Sequence, residues 1–313
     1  MDGSTVLVTG GAGFIGSHLV DRLLAQGCRV RVIDNLSTGH RQNLAHVIDR
    51  IEWMEADIAD AEACRRAVRD VQFVLHQAAL GSVPKSVDDP RSSHSTNLNG
   101  TFNLLLAAVE HKIRRFIYAG SSSVYGDSEV SPKHEKLPTC PMSPYAVQKL
   151  TGELYCRAFS ECYRLETITL RYFNVFGPRQ DPKSRYAAVI PAFVSAVLRG
   201  ESPLIYGDGG QSRDFTYIEN VVEANVLAMR AAKTRGESVN VACGSELTVN
   251  DLVASVNRSL GTHVIPKYEA TRAGDVRRSC ADIGLARKLL GYSPCVSFED
   301  GMARTIEHYR ALG

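Results

Sequence analysis

Thr5-Val6-Leu7-Val8-Thr9-Gly10-Gly11-Ala12-Gly13-Phe14-Ile15-Gly16 is the stretch that decides the fold. A β-branched run passes through a glycine turn into Phe14, Leu19, Leu23 and Leu24, whose spacing predicts a helix with one apolar face. Glycine lets the backbone turn tightly and approach a pyrophosphate, which the unpaired N–H groups and positive dipole end of the next helix then receive. Two registers fit, G-x-G-x-x-G from Gly11 and G-x-x-G-x-x-G from Gly10, and either serves that purpose. The predicted second strand ends at Asp34, 18 residues past Gly16, where a carboxylate for ribose hydroxyls is expected. Its charge would repel a 2′-phosphate and no arginine follows it directly, so NAD is expected rather than NADP.

Outward from this unit the rhythm repeats. Strands are predicted at Arg29–Ile33, Ile51–Glu55, Phe73–His76, Phe116–Ala119 and Thr167–Leu170, with amphipathic stretches between them such as Ala61, Cys64, Ala67 and Val68. Strand-helix alternation of this kind means α/β, a doubly wound parallel (Rossmann-type) sheet. From Asn174 to Arg185, with Gly177, Pro178 and Pro182, the pattern reads as a loop that opens a smaller mixed α/β substrate domain. The expected division is 1–174 for NAD and 175–313 for substrate, with segments around 213–242 returning to the first part. Further helices are predicted at Ala187–Leu198, Ile218–Ala232, Val249–Leu260 and Phe298–Tyr309, the third opened by a Thr248/Asp251 capping box.

Composition narrows the function. With 36 Lys+Arg against 34 Asp+Glu the net charge is +2, which argues against a nucleic-acid partner, and 44% hydrophobic with 22% charged residues is ordinary for a globular chain. Apolar runs such as Leu104–Val109 are far shorter than the ~20 residues of a membrane span, and no signal peptide is read at the start. The eight cysteines form no C-x-x-C and no zinc-spaced cluster with histidine, so no metal and a reduced, cytoplasmic setting are expected.

Two motifs carry chemistry. Tyr145 and Lys149, four residues apart in a predicted helix behind Ser143-Pro144, share one helix face, and a lysine cation beside a phenol favours phenolate. Ser121-Ser122-Ser123-Val124-Tyr125-Gly126 follows the fifth strand, setting hydroxyls at the carboxyl edge of the sheet, where ligands of such folds bind. His76 reads as a packed core histidine. Asp57 reads either as an adenine contact or as a helix cap.

With the glycine loop, these motifs resemble the extended short-chain dehydrogenase/reductase superfamily and, within it, the UDP-hexose 4-epimerases. The segments His76–Ser86, Leu170–Gly177 and Tyr186–Pro191 are most similar to bacterial UDP-N-acetylglucosamine 4-epimerases. The resemblance implies catalysis by Ser121, Tyr145 and Lys149, with Ser122 assisting at the sugar. It implies that NAD is held by Gly10, Gly13, Phe14, Ile15, Gly16, Asp34, Asn35, Asp57, Ile58, Gln77, Ala78, Ala79, Asn97, Tyr145, Lys149 and Tyr172. For the UDP-sugar it implies Gly81, Ser82, Lys85 and Ser121–Ser123 near the sugar, and Asn174, Ala188, Val189, Tyr206, Arg213, Arg272 and Asp275 near the nucleotide. Ser279 stands where epimerases restricted to glucose and galactose carry Tyr, leaving room for a 2-acetamido group. Ser122 and Ser123 stand where 4,6-dehydratases carry Asp and Glu, which argues against loss of water. A homodimer is expected on the same resemblance. Three alternatives stay open: action on plain or uronic UDP-sugars, a dehydratase or decarboxylase, and a non-catalytic NAD-sensing module.

Overall fold

Seven parallel strands form the central sheet: β1 (Thr5–Thr9), β2 (Arg29–Asp34), β3 (Ile51–Glu55), β4 (Phe73–His76), β5 (Arg115–Ser121), β6 (Thr167–Tyr172) and β7 (Glu237–Val241). Their order is β7-β6-β5-β4-β1-β2-β3 in a computed structural model that describes residues 3–182, 188–271 and 276–312. Side chains alternate across each strand, so β1 sends Val6 and Val8 to one face and Leu7 to the other. On the first face Leu19 and Leu23 of helix Phe14–Ala25 pack with Val221 and Val222 of helix Ile218–Arg230. On the second, Leu7, Val74 and Phe116 meet Ala63 of helix Ala61–Val68, Leu104 of helix Gly100–Glu110 and Phe159 of helix Pro144–Tyr163. Covering on both faces is why every residue of β1, β4 and β6 is buried.

Strand order reverses between β1 and β4, opening a crevice at their carboxyl ends. Register fixes what lines it. Thr9 pairs with Ile33 on one side and His76 on the other, so Gly10 and Gln77 emerge side by side. Ser121 and Tyr172, the last residues of β5 and β6, are likewise paired.

The second half is built from short pieces. Ser212–Arg213 runs between Leu247–Thr248 and Arg278–Ser279, Leu204–Tyr206 pairs with Lys267–Glu269, and Thr216–Tyr217 pairs with Val175–Phe176. Val175–Phe176 therefore forms a strand inside the stretch expected to be a loop. Its two residues are too few to show a period, but Phe176 is buried against Tyr217 and Phe298. Helices Val189–Leu198, Val249–Leu260, Gly284–Leu290 and Phe298–Leu312 surround these strands. The capping box at Thr248 and Asp251 is formed in both directions, and the sheet extends two residues past the predicted end of β6. Among the described residues no helix is long and apolar enough to cross a membrane, and no group of three or more His, Cys, Asp or Glu could hold a metal ion.

Candidate active site

The glycine turn is packed too closely for side chains. A Cβ on Gly16 would lie 2.1 Å from the Gly10 carbonyl oxygen, and one on Gly10, at φ +66°, would lie 2.8 Å from the Ala78 backbone. Helix Phe14–Ala25 starts at Gly13 with no side-chain cap and no acidic residue in its first turn. By contrast Asp60, Ser143 and Thr248 each cap their own helices. An uncapped start with a bare backbone approach fits a pyrophosphate. Asp34 is nearly buried, and its two oxygens accept from Ala12 N–H (2.9 Å) and Leu36 N–H (2.8 Å). Burial pushes its carboxyl up, against these two bonds, and each oxygen keeps a lone pair for a ribose hydroxyl.

At the rim, Asn35 Nδ2 donates to Asp57 Oδ2 (2.9 Å), while Asp57 Oδ1 accepts from Ala59 N–H (2.8 Å). The helix that follows is capped by Asp60, so Asp57 is not its cap. Ile58 is buried beneath Gly100, and its carbonyl accepts from Cys64 and Asn103. Gln77 and Tyr172 meet at 3.2 Å, and both bond to Asn225. Asn225 was not anticipated; its only signal is an amide in an otherwise apolar helix face.

Beneath Ala78 and Ala79 runs a buried polar chain. Ala78 N–H donates to Thr9 Oγ1 (3.1 Å), Thr9 Oγ1 and His76 Nδ1 are 2.7 Å apart, and His76 Nε2 and Thr101 Oγ1 are 2.9 Å apart. Thr101 in turn donates to the Asn97 carbonyl, which leaves His76 Nε2 as the donating nitrogen and Nδ1 as the acceptor. Burial, with Lys149 nearby, pushes the His76 imidazole down to about 3, so it stays neutral. The Asn97 amide is spent on Leu80 and on Gln148 Oε1 (2.8 Å), so its side chain is tied to the loop and the catalytic helix.

That helix starts at Ser143-Pro144, with the Ser143 hydroxyl accepting from Ala146 N–H (3.1 Å). Tyr145, half-buried, lies beside Ser121, whose hydroxyl favours its phenolate, and Ser123 bonds Ser121 through both its N–H (3.2 Å) and its hydroxyl (2.9 Å). Ser122, half-buried, lies between them. Lys149 Nζ donates to the Ala119 carbonyl (2.8 Å) and lies 5.0 Å from the centre of the Tyr118 ring and 5.9 Å from that of Tyr145. Burial pushes Lys149 down to about 8 and Tyr145 above its usual value, and the neighbouring Ser121 hydroxyl pulls the phenol back. Desolvation, the largest influence, sets the direction of the phenol's shift.

Gly81 is exposed and Ser82 caps helix Val83–Asp88, which carries Lys85. In the second half, parallel pairing sets Arg213 beside Ser279. Asp214 N–H donates to the Ser279 carbonyl (2.8 Å), and Asn174, at φ +31°, donates to the Asp214 carbonyl (3.4 Å). Asp214, fully buried and not anticipated, accepts from the N–H groups of Cys243 (2.8 Å), Gly244 (2.9 Å) and Ala281 (3.2 Å), while burial pushes it up to about 6. Tyr206 borders a cavity of about 220 Å³ with Gly207, Gln211, Thr271 and Val276. Ala188 and Val189 open helix Val189–Leu198. Arg272, Asp275 and Tyr186 lie outside the described residues.

Residues 6–242 match the family model described as the NAD dependent epimerase/dehydratase family. The chain is 40% identical, with a TM-score of 0.96 and full coverage of both chains, to a UDP-N-acetylglucosamine 4-epimerase from Methanobrevibacter ruminantium in complex with UDP-N-acetylmuramic acid. To a UDP-glucose 4-epimerase from Thermotoga maritima with UDP-glucose it is 39% identical, with a TM-score of 0.94 over 98% of this chain and 99% of that one. A putative UDP-glucose 4-epimerase of Methanocaldococcus jannaschii is 38% identical over 96% of this chain and 97% of its own length. The chain thus belongs to the NAD dependent epimerase/dehydratase family, with NAD as its cofactor, and within that family to the nucleotide-sugar 4-epimerases.

Proposed function

We propose that this protein interconverts UDP-GlcNAc and UDP-GalNAc, and also UDP-Glc and UDP-Gal, by oxidising and re-reducing C4 of the sugar. The observation that carries the chemistry is the contact between Tyr145 and Ser121 at the carboxyl edge of β5, with Lys149 one helical turn on. Gly10, Gly13, Phe14, Ile15 and Gly16 would hold the pyrophosphate of NAD, and Asp34 its adenosine ribose. When bound, NAD would supply a reversible hydride acceptor at C4 of the sugar. Tyr145 removes the proton of the 4-hydroxyl and gives it back, and Ser121 holds the oxygen as its charge changes. Lys149 binds the nicotinamide ribose.

Between the two half-reactions the 4-keto sugar must turn without leaving. That requires a firm hold on UDP and a loose one on the sugar. Asn174 and Arg213 suit the phosphates, since arginine donates in a charge-assisted fork, and Tyr206 suits the uracil face. Arg272 and Asp275 complete this set. The acetamido preference is supported by Ser279, half-buried beside Arg213, where a hydroxymethyl leaves space that a phenol would fill. Ser122 and Ser123, in place of an acid and a base, support epimerisation over dehydration.

We assign residues 1–174, with the helix Ile218–Arg230 and β7 that return to the same sheet, to NAD and the rest of 175–313 to the UDP-sugar. A homodimer is supported by exposed Leu106, Val147 and Leu154 on the packed helices Gly100–Glu110 and Pro144–Tyr163, and a cytoplasmic setting by eight cysteines that form no disulfide. The test is to incubate the purified protein with UDP-GlcNAc and with UDP-Glc and follow products by NMR alongside reduced-nicotinamide absorbance. C4 epimers without net absorbance are expected. A product of altered mass, or stoichiometric reduced cofactor, would refute the reading.

A further inference from the structure

The first N–H groups of an α-helix lack partners within it, and in the helix bearing Tyr145 and Lys149 the first intrahelical bond is Val147 N–H to the Ser143 carbonyl (3.0 Å). Before it, Pro144 has no N–H and Ala146 donates to the Ser143 hydroxyl (3.1 Å). The N–H of Tyr145 itself donates to Ser86 Oγ at 3.0 Å. Ser86 is fully buried and belongs to a different element, helix Val83–Asp88, directly after the Gly81–Ser82 turn. The same hydroxyl donates to the Val83 carbonyl at 2.7 Å. One buried oxygen thus joins the backbone of Tyr145 to the backbone of the turn carrying Ser82 and Lys85.

The rest of the helix is held independently. Gln148 Oε1 accepts from Ser93 (2.7 Å) and Asn97 (2.8 Å), and Lys149 donates to Ala119. Loss of the Ser86 bond would therefore free the first turn, where Tyr145 lies, without releasing the helix.

We propose that Ser86 is a positioning residue that sets Tyr145 against Ser121 and couples its placement to the Gly81–Lys85 turn over the sugar. The proposal deepens the reading of Tyr145 as the group that moves the 4-hydroxyl proton, and rests on it. Ser86→Ala leaves the partly buried Tyr145 N–H without its acceptor, and a first turn that shifts to find one moves the phenol off Ser121.

The test compares Ser86→Ala with the wild type in three measurements: kcat and KM for UDP-GlcNAc, the dissociation constant of UDP alone, and the alkaline titration of Tyr145. The titration is read as the tyrosinate absorbance difference between each protein and its Tyr145→Phe derivative. The expected result is a kcat lower by about tenfold or more, as a sub-ångström to ångström misplacement costs. UDP affinity should stay within about twofold, because the UDP groups lie in the other half of the chain, and the Tyr145 titration should move to higher pH as the Ser121 contact is lost. A kcat within about threefold of wild type, an unmoved titration, or an equal loss of kcat and UDP affinity would overturn the proposal. Should Ser86→Ala not fold, Ser86→Cys, near in size and a weak acceptor, carries the same three measurements. The titration needs no substrate, so a protein that fails to epimerise UDP-sugars but shows the shifted titration would refute the assigned reaction and leave the role of Ser86 standing.

Discussion

Gly10, Ser121 and Tyr172 sit at the ends of strands paired over five or six consecutive residues, whereas Arg213 and Ser279 sit on strands of two. In the first half a shift of register would turn every apolar side chain of a strand to the wrong face, so packing of the whole sheet holds each end residue in place. Outside the central sheet the longest paired stretch among the described residues is three residues. There Asp214 gathers N–H groups from the loop after β7 and from the segment after Ser279, and its own backbone joins Ser279 and Asn174. Geometry at the proposed NAD site is distributed over a sheet; geometry at the proposed UDP site hangs on one carboxylate and a few short pairings. Damage to the two halves should therefore separate cleanly.

The largest effect bears on the seam between them. Tyr145→Phe should lower kcat by about 10³-fold, some 4 kcal/mol, while both NAD and UDP stay bound; steady-state rates with cofactor content measured after denaturation check this. Gly16→Ala should break only the first half, because its Cβ would meet the Gly10 carbonyl oxygen at 2.1 Å. A loss of NAD content and of about 3 kcal/mol of stability is expected, with UDP affinity by calorimetry nearly unchanged in the folded fraction.

Asp214→Asn should break only the second half, weakening UDP at neutral pH by about tenfold, the scale of one charge-assisted hydrogen bond, at constant NAD content. It also carries a pH signature. Asp214 has a folded pKa of about 6, above its ordinary 3.8, so the native state binds the extra proton and the stability contributed by this group is present below pH 3.8 and is lost as pH rises through about 6. Denaturant unfolding of wild type minus Asp214→Asn should fall by up to about 3 kcal/mol across that window and level off above it. The smallest effect is one of selectivity. Ser279→Tyr should lower the kcat/KM ratio of UDP-GlcNAc to UDP-Glc by about tenfold, with UDP-Glc itself little changed; equal losses on both would show that the position does not read the acetamido group.

The same contrast decides how much could be read from the chain. Strands β1 to β6 were legible because β-branched runs and glycine punctuation are local, and so was the pair Tyr145 and Lys149, whose spacing carries its chemistry, while resemblance singled out Ser121 among three serines. β7, five residues of Glu237-Ser-Val-Asn-Val, was not named as a strand, since so short an alternation gains meaning only when Val239 and Val241 pack beside β6. Asp214, Ser86 and Asn225 were missed for a related reason: each acts through partners tens of residues away or more, and an isolated Asp, Ser or Asn carries no period. Roles assigned to Arg213, Tyr206 and Ser279 came from resemblance rather than spacing. The expectation that Lys149 lowers the Tyr145 phenol ignored burial, which no motif encodes.

The most direct measurement uses UDP-GlcNAc carrying deuterium at C4 of the sugar, incubated with the purified protein and analysed by NMR and mass. The account predicts UDP-GalNAc that keeps its deuterium at C4, because the hydride that leaves is the hydride that returns. Deuterium lost to solvent, or found at another carbon, would contradict it.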